Sequence, residues 1–293
     1  MPKFAVVADA CTDLPLPIVQ KLELNVVPMT VMVGETEYLH YPDERNLKID
    51  DFYQMLRDKA TPRTSQPNAN AVAEVVEPLL QAGQDVLMMS ISSNLSQTFN
   101  SMNIALGELR ERFPDRRIEL FDTLNASTGE GFLVYKALQM RQADKSMDET
   151  LKFLNDIRNK VIATVIFDDL SHLKRGGRIN LAKFALGSLL GIKPALICNS
   201  EGRIVPTKAK LRGRKNAIAW LKENFTQLVE NEDLVLIVHS DAEEDAKTLA
   251  AELKASNPKI KELIIARMGP VIGSHGGLGT LGLMYQGKTK DIA

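Results

Sequence analysis

Short apolar runs alternate with longer amphipathic stretches along this chain, and the alternation predicts strands and helices in turn. Phe4 to Ala8 is an apolar run of strand length, followed by the polar loop Asp9-Ala10-Cys11-Thr12-Asp13. A helix is expected from near Pro15, a residue suited to a first helical turn, with Asp13 or Thr12 as its cap. Leu24 to Val33 reads as a second strand, and Glu37 to Tyr41 as its hairpin partner across Gly34-Glu35. Phe52, Met55 and Leu56 share one face of a helix capped by Asp50 or Asp51. Thr61 to Asn68 reads as a loop, Ala69 to Gln81 as a helix and Asp85 to Ile91 as a buried strand. A helix from about Leu95 to Arg112, a strand from Arg117 to Phe121, and helices from Ala126 to Gln142 and Asp148 to Lys160 complete this half. Repeated strand–loop–helix units argue for a parallel sheet with helices on both faces.

The rhythm changes near residues 160–164, where a second domain is expected to begin. Ile162 to Phe167 reads as a strand, and Asp169 to Lys174 as a short helix stopped by Gly176-Gly177. Leu181 to Leu190 reads as an apolar helix. Ile192 to Asn199 and Arg203 to Lys210 form a hairpin-like pair across Ser200-Glu201-Gly202. Arg214 to Val229 is an amphipathic helix, and Leu234 to His239, Ala242 to Ala255 and Lys261 to Ala266 give strand, helix and strand. Last comes Gly269 to Leu283, which holds six of the eighteen glycines and His275; a strand before it and a helix after Gly279 are expected. Such a turn can bring backbone N–H groups close to an anion, or serve only as tight packing.

Composition narrows the function classes. Apolar residues make up 44% and charged residues 25%, and the net charge is −1, which gives no support for nucleic-acid binding. The cysteines Cys11 and Cys198 have no metal-site spacing, and no other cluster implies a metal; buried free thiols are the expectation. Met1-Pro2-Lys3 leads straight into a short strand and no apolar run is long enough to span a membrane, so a cytoplasmic protein without an integral membrane segment is expected.

Several stretches could carry chemistry. Ser92-Ser93-Asn94 sits where a strand ends and a helix begins, a place where hydroxyls and free N–H groups suit a carboxylate or phosphate, or simply cap the helix. Thr64-Ser65-Gln66-Pro67 offers two more hydroxyls in a stiff loop. Lys174-Arg175-Gly176-Gly177-Arg178 is a cationic turn, and Lys208, Lys210 and Arg212 would face one way on a strand, with Arg the best fork for an anion. A Ser93–His275 hydrolase is a rival idea, although no G-x-S-x-G elbow surrounds Ser93. The chain has neither a P-loop nor a kinase signature, which favours a binding module over a free-standing kinase.

In order, the motifs are D-x-x-T-D-L-P at Asp9 to Pro15, T-S-Q-P at Thr64 to Pro67, S-S-x-L-S-x-T at Ser92 to Thr98, and D-T-x-x-A-S-x-G-x-G at Asp122 to Gly131. L-x-x-L-K-R-G-G-R-I at Leu170 to Ile179, G-I-K-P-A-L at Gly191 to Leu196, and the closing G-P-V-I-G-S-H-G-G-L-G follow. Together they make the chain resemble the DegV family of bacterial lipid-binding proteins nearly end to end. The resemblance implies a two-domain α/β fold: an N-terminal three-layer domain on a parallel sheet, residues 1–162, and a C-terminal α/β domain with a mixed sheet, residues 163–293. It implies a long-chain fatty acid as ligand, buried between the domains, with no further cofactor. It also implies a partner, an ATP-dependent fatty acid kinase that phosphorylates the bound carboxylate. Thr64, Ser65, Ser93 and Asn94 then look like head-group ligands, with Gly273, Ser274 and His275 beside the carboxylate and Arg212 as charge partner. Lys174, Arg175 and Arg178 look like part of the kinase-docking face. The chain departs from the family pattern at Ala10-Cys11, Asn68, Gln97 and Thr123, changes that enlarge side chains near the head-group site. A lipid or anion sensor without a catalytic role is a further alternative.

Overall fold

The computed structural model describes residues 4–179 and 191–292. In the first half the elements are β1 (Phe4–Asp9), α1 (Leu16–Lys21), β2 (Asn25–Val27), β3 (Met29–Val33), β4 (Thr36–His40), α2 (Ile49–Arg57), β5 (Arg63–Ser65), α3 (Ala69–Gln81), β6 (Asp85–Ser90), α4 (Thr98–Arg112), β7 (Ile118–Asp122), α5 (Thr128–Gln142) and α6 (Met147–Arg158). In the second they are β8 (Val161–Ile166), α7 (Ser171–Arg175), β9 (Ile192–Lys193), β10 (Ala195–Cys198), β11 (Ile204–Pro206), β12 (Leu211–Arg212), α8 (Gly213–Leu228), β13 (Val229–His239), α9 (Glu243–Ser256), β14 (Glu262–Arg267), α10 (Pro270–Gly276) and β15 (Leu281–Gly287).

The architecture is a two-domain α/β fold. Strands β2-β1-β6-β7 make a wholly parallel sheet, as the strand–helix alternation requires. Val7, Val86 and Met88 face α3 and α4 in one core, while Val6, Ala8, Leu87 and Met89 face α5 in another. Three layers result, and the period-two alternation of a strand assigns each side chain to its face. The second sheet, β11-β10-β8-β15-β13-β14, is mixed: only β13 and β14 run parallel. One face packs on α8 and α9. The other packs on α5, which also contacts β1, so α5 lies between the two sheets and is buried along nearly its whole length. A small antiparallel sheet, β4-β3-β5, stands beside the first domain.

Several expected elements differ. Leu24 to Val33 is two strands in two sheets, β2 and β3, divided at Pro28, which offers no N–H to a ladder. Arg63–Ser65, expected in a loop, pairs with β3. Helix α1 takes Pro15 as N-cap with no side-chain cap, and α2 starts at Ile49, so Asp50 and Asp51 lie inside its first turn, where carboxylates favour the helix dipole. Arg203 to Lys210 is strand only over β11; Lys208, Lys210 and Arg212 therefore share no strand face. The expected Leu181–Leu190 helix lies outside the described residues. The largest correction is at the glycine-dense stretch. The helix there is α10, within the glycines, and the chain after Gly279 is β15, a central strand between β8 and β13.

The two domains are fastened at the β10–β11 turn. Ser92 Oγ donates to the carbonyl of Gly202 at 2.8 Å, and Asn94 Nδ2 to that of Glu201 at 2.9 Å. Gly202 sits at φ 75°, and a Cβ there would come 2.2 Å from Ser92 Oγ, so only glycine fits.

Candidate functional site

A cavity lies beside α5, lined from both domains; about 890 Å³ of space belongs to it, part of which opens to solvent. Most of its wall is apolar: Met29 and Ile91 from the first domain, and Val165, Phe167, Leu196 and Met284, among others, from the second. Among the described residues, five polar side chains break that wall, namely Thr64, Ser96, Ser127, Arg178 and His275.

Four of them are grouped. Alternation along β5 turns Thr64 inward and leaves Arg63 and Ser65 exposed. Thr64 Oγ1 and His275 Nε2 share a hydrogen bond of 2.9 Å. His275 lies in the last turn of α10, and the C-cap of α7 packs directly on it: a Cβ on Gly176 would lie 2.2 Å from His275 Nδ1. Arg178 follows the same turn, donating from Nη1 to Gly176 O at 2.5 Å and from Nε to Leu95 O at 3.1 Å. The neighbour of Leu95 is Ser96, whose hydroxyl pairs with Thr98 Oγ1 at 2.8 Å. Two hydroxyls, an imidazole and a guanidinium thus gather at one part of an apolar cavity. That arrangement suits an amphiphile with an anionic head, because an anion taken from water needs several donors and the tail needs none. Burial lowers His275 to about 4, with the positive charges of Arg178 and His172 adding to the drop. The ring is therefore neutral near pH 7, and its Nδ1 is buried without a partner among the described residues.

Ser127 stands at the N-cap of α5 and is tied to the start of α10 through Asp13. Its Oγ donates to Asp13 Oδ2 at 2.6 Å, while Asp13 Oδ1 accepts the Gly269 N–H at 2.9 Å. Burial raises Asp13 to about 7, against the opposing pull of these two hydrogen bonds.

Other residues singled out in the sequence are placed elsewhere. Ser93 is absent from the cavity wall, and its N–H donates to Asp122 Oδ1 at 3.3 Å. Asn94 is spent on the Glu201 carbonyl at the interdomain turn. Ser65 is exposed, and Arg212 is exposed at the start of α8. Gly273 is buried against the Phe52 ring, and Ser274 Oγ donates back to Pro270 O at 2.7 Å, so neither faces the cavity. Lys174 and Arg175 are exposed on α7, whereas Arg178, grouped with them as a docking residue, lines the cavity. The Ser93–His275 pair of a hydrolase is not formed, since His275 pairs with Thr64. Ser96 was missed; its signal was the third serine of S-S-x-L-S-x-T. Among the described residues no group of three or more His, Cys, Asp or Glu could hold a metal ion, and no helix is long and apolar enough to cross a membrane.

Comparison with known proteins finds relatives along nearly the whole chain. A family model described as an uncharacterised protein of the DegV family matches residues 3–288. A DegV domain-containing protein of Clostridium perfringens is 39% identical over 293 residues, covering 99% of this chain and 100% of the relative. Among solved structures, a DegV family protein of Thermus thermophilus described by its fatty acid binding superposes with a TM-score of 0.87 at 30% identity, covering 98% of this chain and 100% of its own. DegV of Bacillus subtilis, described as a fatty acid binding protein, superposes with a TM-score of 0.83 at 30% identity, with the same coverage.

Proposed function

The chain belongs to the DegV family, and from that premise we propose that it binds a long-chain fatty acid in the cavity beside α5 and presents the carboxylate to a partner ATP-dependent fatty acid kinase. The observation that carries this reading is the grouping of Thr64, Ser96, Arg178 and His275 in an otherwise apolar cavity. Arg178 supplies the charge and a planar donor fork for the carboxylate, and Thr64 and Ser96 supply neutral donors. His275 orients Thr64 and, once an anion is bound, can carry a proton beside it. The apolar wall takes the tail, each buried methylene contributing about 0.8 kcal/mol. A carboxylate held in this way gains negative charge as it becomes an acyl phosphate, and the same cation and donors stabilise that change. On this reading Lys174 and Arg175 lie on the face a kinase would meet, and the protein itself works in the cytoplasm.

Native mass spectrometry of the purified protein, followed by lipid extraction, tests the ligand. The expected result is a bound fatty acid, or stoichiometric uptake when one is added to delipidated protein. Recovery of only phospholipid or nucleotide, with no uptake of added fatty acid, would refute it. For the partner, acyl phosphate should form only when loaded protein, a cognate kinase and ATP are combined; no product with kinases from the same genome would leave a carrier without that role.

A further inference from the structure

Two groups that the head-group site does not use meet at one main-chain carbonyl behind the cavity wall. Cys198, the last residue of β10, lines the cavity and donates its Sγ–H to the carbonyl oxygen of Leu124 at 3.2 Å. Lys290, with 0% of its surface exposed, donates Nζ to the same oxygen at 2.6 Å. Two donors on one acceptor keep thiol and amine close, no farther apart than the two bonds laid end to end. Burial lowers Lys290, with Cys198, Asp291 and Asp122 opposing the drop. Burial also raises Cys198 to about 11, a rise that Lys290 opposes and that Asp122 and Asp291 increase.

The other cysteine, Cys11, lines the same cavity in a contrasting setting. Its Sγ lies 3.3 Å from Met29 Sδ. Burial pushes its thiol well up, and the carboxyl groups of Asp9, Glu130 and Asp13 push it further. One wall thiol has an amine beside it, then, and the other has acids.

We propose that Cys198 is a site of covalent capture for electrophilic acyl chains, lipids that carry an α,β-unsaturated carbonyl, with Lys290 as the base. The proposal rests on the reading of the cavity as a lipid site. A chain in the cavity lies alongside the thiol, so reaction is between neighbours rather than between molecules meeting in solution. Cys198 passes its S–H proton to the Lys290 amine, and the thiolate is the nucleophile. Its electron pair forms the C–S bond at the β carbon, while the alkene pair shifts to leave an enolate on the carbonyl. The Lys290 ammonium then returns the proton to the α carbon. The sum is an addition, with no oxidant and no leaving group.

The test incubates delipidated full-length protein with an octadecadienoic acid bearing a keto group conjugated to its diene, in both positional isomers. Linoleic acid serves as the non-electrophilic control, and displacement of a fluorescent fatty acid reports binding by each. Intact mass should rise by one ligand, and peptide mapping should place the adduct on Cys198 at least tenfold over Cys11. Lys290→Met should slow labelling at least tenfold while displacement is retained. If that variant fails to fold, the ratio of the two cysteines in the wild type still decides. Labelling of Cys11 as fast as Cys198, or binding of both isomers without an adduct, would overturn the proposal, and an unslowed Lys290→Met would overturn the role of the base. If neither the keto acids nor linoleic acid displaces the probe, the lipid reading itself fails and the proposal falls with it.

Discussion

Placing a proton on His275 is the perturbation from which most follows. The ring is held at about 4, against 6.5 for a free imidazole, by burial and by the charges of Arg178 and His172. The gap corresponds to about 3 kcal/mol. Between these values the folded chain binds fewer protons than the unfolded one, so this stability is present above pH 6.5 and is lost as pH falls toward 4. A bound carboxylate reverses the balance. At about 4 Å and an effective dielectric of ~20 it attracts a unit positive charge by about 4 kcal/mol, enough to return the ring to titrating near roughly pH 7. Fatty-acid binding then takes up a proton, and affinity rises as pH falls from about 7.5 to 5.5, by at most about tenfold per pH unit. A fatty alcohol of the same length brings no charge and should show no such slope. Imidazole carbon-bound proton shifts, followed by NMR in delipidated and palmitate-loaded protein, measure both values, and titrations with acid and alcohol measure the slope. A free-protein ring that titrates near 6.5, or one that loading leaves unmoved, would refute the reasoning.

Ser96→Ala should weaken fatty-acid binding by about 1.5–3 kcal/mol, the worth of a hydrogen bond to a charged group, while Ser93→Ala should leave affinity within roughly twofold; calorimetric titration showing the reverse order would move the head-group site to Ser93. Gly176→Ala should lower affinity at least about fivefold while far-ultraviolet circular dichroism is unchanged, because the added methyl would lie 2.2 Å from His275 Nδ1 and must push the ring off Thr64. Asp13→Asn tests the buried carboxyl at the α5–α10 junction. With Asp13 at about 7 when folded and 3.8 when free, the wild type loses stability relative to the variant as pH rises from about 4 to 7, by roughly 4 kcal/mol in full. Urea melts of both proteins across that window check it, and a pH-independent difference would count against it.

Much of the fold was legible because it rests on local pattern. The strands of the parallel sheet are apolar runs bounded by polar loops, and α5 and α6 follow from where those runs stop. The failure at β15 has a physical cause. Leu281–Gly287 is apolar on both faces because β15 is covered by α5 on one side and α8 on the other, and that pattern is shared by buried strands and buried helices. The site was legible only in part. Alternation points Thr64 inward, but nothing local distinguishes Ser92, Ser93 and Ser96. The distinction is made by a hairpin 110 residues away, which engages Ser92 through the Gly202 carbonyl. Arg178 reads as one of three surface cations until the turn after α7 is packed on α10, which carries it inward.

The fastening at the β10–β11 turn also bears on how this protein can diversify. Ser92 and Asn94 grip main-chain carbonyls, which every amino acid possesses, so the grip depends on the path of the hairpin and not on its side chains. The same hairpin supplies Leu196, Ile197, Cys198 and Ile204 to the cavity wall. Substitutions at those four positions can reshape the space for a tail while the join between domains stays intact, provided that Gly202 is kept. Recognition of the ligand and cohesion of the fold are thereby carried by separate atoms of one short ribbon, and each is free to drift without the other.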